Sequence, residues 1–282
     1  MGYDFRAFSL KLRKAWFMKI AIFDSGIGGV TVLHEALLRV PDAEYIFYAD
    51  TDHVPYGTKT SEEIKGFVDN IVDRLVSLEA DAIVIACNTA TAVAAEHVRN
   101  KYSIPIIGME PAVKPAVEVA KKDNGRVLVM ATPVTIRENK LHSLLSKVDT
   151  DHMVDLLPMP GLVRFAENEI FDEAEVDEYI EEQLAVFDKS AYSEVVLGCT
   201  HFNYFKPAIR KAFANEIKLI DGNVGTIKHL ADKLKLSYEY NPEKILTKSD
   251  YERIDYLVSG RPAGKEELSK FGRLHERLNS IK

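Results

Sequence analysis

Cysteine is scarce in this sequence: two in 282 residues, at 87 and 199. So few cannot build a disulfide framework or a Cys-x-x-Cys metal or redox pair, and a reducing compartment, the cytoplasm, is expected. Long apolar runs are missing too; nothing approaches the roughly 18 to 20 consecutive apolar residues a membrane helix needs. Nor is there a basic surplus. The net charge is −7, which argues against nucleic-acid backbones and anionic membranes as partners. A dicarboxylate would even be slightly repelled at a distance, so local groups must capture it. With 46% hydrophobic and 28% charged residues, the chain reads as globular and is long enough for two α/β domains. Basic residues collect in residues 1–17. Lys19 breaks any apolar run there, and Asp24 stands where a cleavage site wants small residues. An N-terminal extension before a strand starting near Met18 is expected, not a signal peptide.

Apolar β-rich runs and helical periods alternate along the chain. The runs are KIAIF (19–23), EYIFYA (44–49), DAIVIA (81–86), IPIIG (104–108), RVLVMA (126–131), SEVVLG (193–198) and IKLID (217–221). Helical periods cover 30–39, 62–78 and 176–187, the second opened by a capping box, Thr60 and Glu63. Continuous apolar strands between amphipathic helices predict mainly parallel sheets covered on both faces.

The pattern also repeats. KIAIFDS aligns with RVLVMAT, DAIVIACNT with SEVVLGCTH, and IPIIGMEP with IKLIDG. Asp24 lies 63 residues before Cys87, and Ala131 lies 68 before Cys199. A duplicated unit is implied: two pseudo-symmetric α/β domains with an active site in the cleft between them. The expected division is 18–112 plus 222–282 for one domain and 113–221 for the other. No low-complexity linker separates them, so a tight interface is expected. Ligands bind beyond the carboxyl ends of parallel strands. Asp24-Ser25, Cys87-Asn88-Thr89, Thr132 and Cys199-Thr200-His201 fall there, with a cysteine from each unit.

Each motif has a bland reading beside the chemical one. DSGIGG (24–29) follows a strand and opens a helix, but Thr31 stands where a Rossmann fingerprint needs its third glycine, and no Gly-Lys-Ser/Thr follows. Its glycines still permit a tight turn that offers amides to a carboxylate. A single Cys at a strand end is ordinarily a small buried hydrophobe. Two at equivalent places, each before a helix start that would lower a thiol pKa, suggest one thiolate facing one thiol. Cys199 with His201 lacks a third soft ligand for a metal. His201 reads as a cap or as a proton donor across the cleft. Asp24, after an apolar strand, is a costly carboxylate without a role. Pro55-Tyr56-Gly57 reads as a turn.

FDSGIGGVTVL, VPYGTKT, ACNTATA and VLGCTHF, in this order and spacing, closely resemble the glutamate racemases of the cofactor-independent aspartate/glutamate racemase family. The likeness runs from about Met18 to the late 220s. Aspartate racemases of the superfamily usually carry Glu at the place of His201 and lack the DSGxGG opening. The resemblance implies interconversion of L- and D-glutamate, without pyridoxal phosphate or other cofactor, to supply peptidoglycan, by a homodimer. It assigns Cys87 and Cys199 as acid/bases and pairs Asp24 with Ser25, Tyr56 with Gly57, Asn88 with Thr89, and Thr200 with His201 around the substrate. Asp24 would serve Cys87; Glu167 and His201 would serve Cys199. Glu167 comes from MPGLVRFAE (159–167), similar to the family's CPxxVPLVE, with Met159, Arg164 and Phe165 departing from it. Glu138 replaces the serine of a Thr-Val/Ile-x-Ser element at 135–138, and Asn203-Tyr204-Phe205 replaces a Pro-Leu-Leu run. Two other readings stand beside this one. They are a racemase for aspartate or another polar amino acid, and a binding protein that inhibits a nucleic-acid enzyme such as gyrase.

Overall fold

The computed structural model describes residues 18–214, 217–239, 241 and 243–281; the expected extension over 1–17 lies outside them. Ten strands appear among the described residues: β1 Lys19–Asp24, β2 Glu44–Ala49, β3 Ala82–Ile85, β4 Ile106–Gly108, β5 Arg126–Ala131, β6 Val154–Pro158, β7 Tyr192–Gly198, β8 Lys218–Asp221, β9 Asp255–Val258 and β10 Arg261–Pro262. They form two sheets, ordered β10-β9-β2-β1-β3-β4 and β6-β5-β7-β8. All pairings are parallel except β9 with β10. The order β2-β1-β3-β4 recurs as β6-β5-β7-β8, which is the repeat written in space.

The sequence dictates β1 through its lack of alternation. Ile20 and Ile22 join one core with Leu33 and Leu37 of the helix Val30–Arg39, while Ala21 and Phe23 join another with Val68 and Val72 of the helix Ser61–Ser77. A strand buried on both faces needs apolar residues at every position. The capping box forms as expected: Glu63 N–H donates to Thr60 Oγ1 at 3.2 Å and Thr60 N–H to Glu63 Oε2 at 2.8 Å. Leu128 and Met130 of β5 and Val195 and Leu197 of β7 belong to the same contiguous core as Ile20 and Ile22. The two sheets are therefore joined through apolar packing.

Three strands were not expected. β6 is a half-buried edge strand, broken by Asp155 and closed by Pro158; an edge lacks the continuous apolar run that marks a central strand. β9 and β10 widen the first sheet from a part of the chain with no resemblance to draw on. They prepare the seat of the C-terminal helix Lys265–Ser280, whose Phe271 ring stands 5.5 Å from Phe47 and 4.8 Å from Tyr256. Among the described residues no helix is long and apolar enough to cross a membrane.

The same helix buries His275. Its Nδ1 faces His34 Nδ1 at 3.1 Å, its Nε2 meets Tyr256 Oη at 3.2 Å, and its ring stacks on Tyr251. Burial pushes His34 down to about 4 and His275 well below its ordinary value, with His34 adding to the second shift. Folded pKa values below the unfolded one mean that the unfolded chain takes up protons first as pH falls. Stability contributed at pH 7 is therefore lost progressively from about 6.5 towards about 4. The melting temperature is expected to drop by roughly 5 °C between pH 7 and 5 from this pair. His275→Phe, which keeps the stack on Tyr251, should about halve the drop; an unchanged drop in thermal melts would assign it elsewhere.

Candidate active site

Beyond the carboxyl ends of β1, β3, β5 and β7 lies one cavity of about 90 Å³. Its wall is Ser25, Tyr56, Gly57, Cys87, Asn88, Thr89, Thr132, Cys199, Thr200 and His201, closed by Pro55, Thr58, Pro133, Pro160 and Val163. Residues from both sheets meet there, each bringing one free, buried cysteine. A larger cavity of about 500 Å³, between His34, Asn203, Lys206 and Asn223, contains no thiol.

The two thiols share an address but not a setting. Cys87 caps the helix Asn88–Lys101: its Sγ accepts from Ala90 N–H at 3.4 Å and reaches Ser25 Oγ at 3.7 Å. The helix start was expected to lower this thiol's pKa, but the balance runs the other way. Burial first, then the Asp24 carboxylate and Cys199, push the Cys87 thiol well up, against the Ala90 amide and Ser25 hydroxyl. These surroundings favour the protonated Cys87 thiol. Cys199 instead stands at the N-cap of the 3₁₀ run Thr200–Phe205, where its side chain makes no cap hydrogen bond. Its Sγ lies 3.7 Å from His201 Nδ1, and His201 Nε2 lies 2.7 Å from Glu167 Oε1.

In that second chain of groups, the surroundings favour charge on His201 and Glu167. Burial works against a protonated His201, yet its contacts with Cys199 and Glu167 raise its pKa well above the ordinary value. Burial likewise disfavours an ionised Glu167, but the His201 hydrogen bond, the Ile27 amide and Lys270 bring its carboxyl below the usual range. An imidazolium beside Cys199 puts positive charge where a sulfur anion would form. Among the described residues no group of three or more His, Cys, Asp or Glu side chains is arranged for a metal ion.

Asp24 and Glu167 are not among the residues that line the cavity. Both stand behind its wall. Asp24 is fully buried and accepts from Thr200 Oγ1 at 3.0 Å, leaving Oδ1 without a partner. Burial raises its pKa, against His201, Thr200 and the Ser25 amide. Glu167 accepts from Ile27 N–H at 2.9 Å. The amide offered by the DSGIGG turn thus receives a carboxylate of the protein itself. Gly26 and Gly28 make this approach fit: a Cβ on Gly26 would overlap Glu167 Oε1, and one on Gly28 would overlap Thr200 Oγ1 and His201 Nδ1.

On the opposite wall three hydroxyls close a ring. Thr89 Oγ1 lies 2.9 Å from Thr132 Oγ1 and 3.1 Å from Thr135 Oγ1, and Thr132 Oγ1 donates to Thr135 Oγ1 at 3.0 Å. Thr135 thereby ties the first half to the second without the missing serine; Glu138 at that place accepts from Ser61 Oγ at 3.2 Å. Asn88, in the cavity wall, is 5% exposed and its Oδ1 has no hydrogen-bond partner. Tyr56 Oη donates to Asp50 Oδ2 at 2.5 Å. Asp50 was missed, although it follows β2 as Asp24 ends β1, so the strand-end rule would have found it. In place of the Pro-Leu-Leu run, Tyr204 Oη donates to Ile27 O at 3.0 Å and Asn203 Nδ2 to Thr200 O at 3.2 Å. Polar residues fit there because they bind the turn that carries the site.

A family profile described as Asp/Glu/Hydantoin racemase matches residues 30–230. Glutamate racemase of Lachnospira eligens is 46% identical over 269 residues, covering 94% of this chain and 99% of the relative. The solved glutamate racemase of Campylobacter jejuni superposes with a TM-score of 0.74 at 28% identity, over 94% of this chain and 100% of the other. That of Francisella tularensis, solved in complex with D-glutamate, gives 0.72 at 28% identity and 94% of both chains.

Proposed function

This chain belongs to the Asp/Glu/hydantoin racemase family, and on that footing we propose that it interconverts L- and D-glutamate by proton transfer between Cys87 and Cys199. The observation that carries this is the pair of thiols, one from each sheet, lining a single cavity. Racemisation must remove a weakly acidic α-proton and return one to the opposite face. Two acid/bases on either side of the carbon do this without turning the substrate over. From L-glutamate, Cys199 takes the proton and the protonated Cys87 supplies its replacement; D-glutamate runs the exchange backwards.

Ser25, Asn88, Thr89 and nearby amides hold the carboxylates and stabilise the charge that develops on the carbanion. The unpartnered Asn88 Oδ1 suits the α-ammonium. That cation also offsets Asp24, whose charge otherwise opposes ionisation of Cys87. Asp24 supports Cys87 from behind the wall, and the Glu167–His201 pair supports Cys199. The working unit is taken as two domains, 18–112 plus 222–282 and 113–221, each contributing one thiol. The reaction is assigned to the cytoplasm, where thiols stay reduced, with D-glutamate passing to peptidoglycan.

A circular-dichroism assay on purified protein, with L-glutamate or L-aspartate and no added cofactor, tests this. One methylene is worth only about 1–3 kcal/mol in a fitted pocket, but the side-chain carboxylate must also reach its donors. Glutamate is therefore expected to be preferred by at least about a hundredfold in kcat/KM. Comparable turnover of both would make this a broader racemase. No turnover of either would favour a binding role.

A further inference from the structure

The C-terminal helix Lys265–Ser280 works on two faces. Phe271, Leu274 and His275 are buried against the first sheet. Lys270, Arg273 and Arg277, spaced three and four apart, form a basic stripe along another side. The stripe grips the segment that leaves the helix Pro160–Glu167. Arg273 makes a two-pronged pair with Glu169 at 2.9 and 2.7 Å, and Arg277 makes one with Asp172 at 2.5 and 2.7 Å. Lys270 Nζ donates to the backbone oxygen of Glu167 at 2.6 Å.

That oxygen belongs to the last residue of its helix, where carbonyls lose their helical partners. The amides that follow are engaged elsewhere: Asn168 N–H on Arg164 and Phe165, Glu169 N–H on Ala166, and Ile170 N–H on Phe165. Glu169 turns the chain with φ 57°, a left-handed conformation costly for a residue with a side chain. The turn is thus held from outside, by Lys270 at one end and Arg273 at the other. A lysine at a helix C-terminus also meets the negative end of the helix dipole. Its ammonium is among the charges that favour ionised Glu167.

We propose that Lys270 is a positioning residue for proton transfer at Cys199, fixing the helix end that carries Glu167 and so the Glu167–His201 pair. This rests on the two-thiol reading above. Among the described residues no hydrogen bond or ion pair joins Lys270 to Cys87 or to its partners Ser25 and Asp24, so its effect should fall mainly on the Cys199 face of the substrate.

The test uses α-hydrogen exchange in deuterated water, followed by proton NMR. With Cys87→Ala, exchange from L-glutamate depends on Cys199; adding Lys270→Met should slow it about tenfold, the worth of one charge-assisted hydrogen bond. With Cys199→Ala, exchange from D-glutamate depends on Cys87; adding Lys270→Met should leave it within about twofold, which also shows that the variant folds. Lys270→Arg should restore most of the L-face rate. Equal loss on both faces, or no loss, overturns the proposal. Should single-thiol exchange prove too slow, Lys270→Met in the otherwise intact enzyme should lower kcat more than it raises KM. It should also enlarge the isotope effect of α-deuterated L-glutamate and not that of the D-enantiomer; matched effects overturn it equally. If Cys87→Ala or Cys199→Ala racemises normally, the two-thiol reading itself has failed, and the proposal falls with it.

Discussion

Cys87→Ala and Cys199→Ala are each expected to lose racemisation by at least about a thousandfold, within the range that general acid–base groups supply. Each substitution leaves a carbanion with a proton source on one face only, so inversion stops even where deprotonation survives. The two variants should differ in what remains. Cys87→Ala keeps the Cys199–His201–Glu167 chain and should still exchange the α-hydrogen of L-glutamate. Cys199→Ala should favour exchange from D-glutamate, and more slowly, since the Cys87 thiol is pushed up by burial and by Asp24. Proton NMR of each variant with each enantiomer in deuterated water reads both. Near-wild-type racemisation by either variant would reduce its cysteine to packing.

The second large effect comes from a residue with no side chain. Gly28→Ala sets a methyl group where Thr200 Oγ1 and His201 Nδ1 now stand. Both belong to packed, buried structure, so neither yields without moving the site. Displacing them disturbs the Thr200–Asp24 bond and the support of Cys199 together. A misplacement of about 1 Å alone costs on the order of a hundredfold, and loss of acid–base support brings the expected fall in kcat/KM to about 10²–10⁴. Overpacking should cost only about 1–3 kcal/mol in stability, leaving a folded protein by circular dichroism. Gly66→Ala, on a helix where a Cβ meets nothing within 4 Å, is the control and should keep full activity. Wild-type turnover by Gly28→Ala would show that the turn has room the packing denies.

Much of the frame was legible because it depends on short-range pattern. KIAIF, EYIFYA and RVLVMA became strands nearly residue for residue, since a strand covered on both faces must be apolar throughout. The aligned repeats implied equivalent strand ends, and those ends do meet in one cavity. The edge strands β6 and β10 were not legible, because an edge is half solvated and carries little period of its own; β9 lies inside the sheet but is only four residues long, too short to show a period.

What the sequence by itself determined was the alternation of elements, their duplication, and the presence of a cysteine at the end of an aligned apolar run in each unit; these follow from residue types a few positions apart. What only the tertiary structure decided was how each of those cysteines is used. Whether a carboxylate faces the cavity or stands behind it, as Asp24 and Glu167 do, depends on which distant side chain fills the space between. Whether the Cys87 thiol is pushed up or down depends on burial and on the neighbouring carboxylate outweighing one helix amide. Glu167 meets Ile27 and Lys270 across 140 and 103 residues of chain. Hydration and charge act through space over a few ångströms, and local pattern carries no record of which remote segments will share that space.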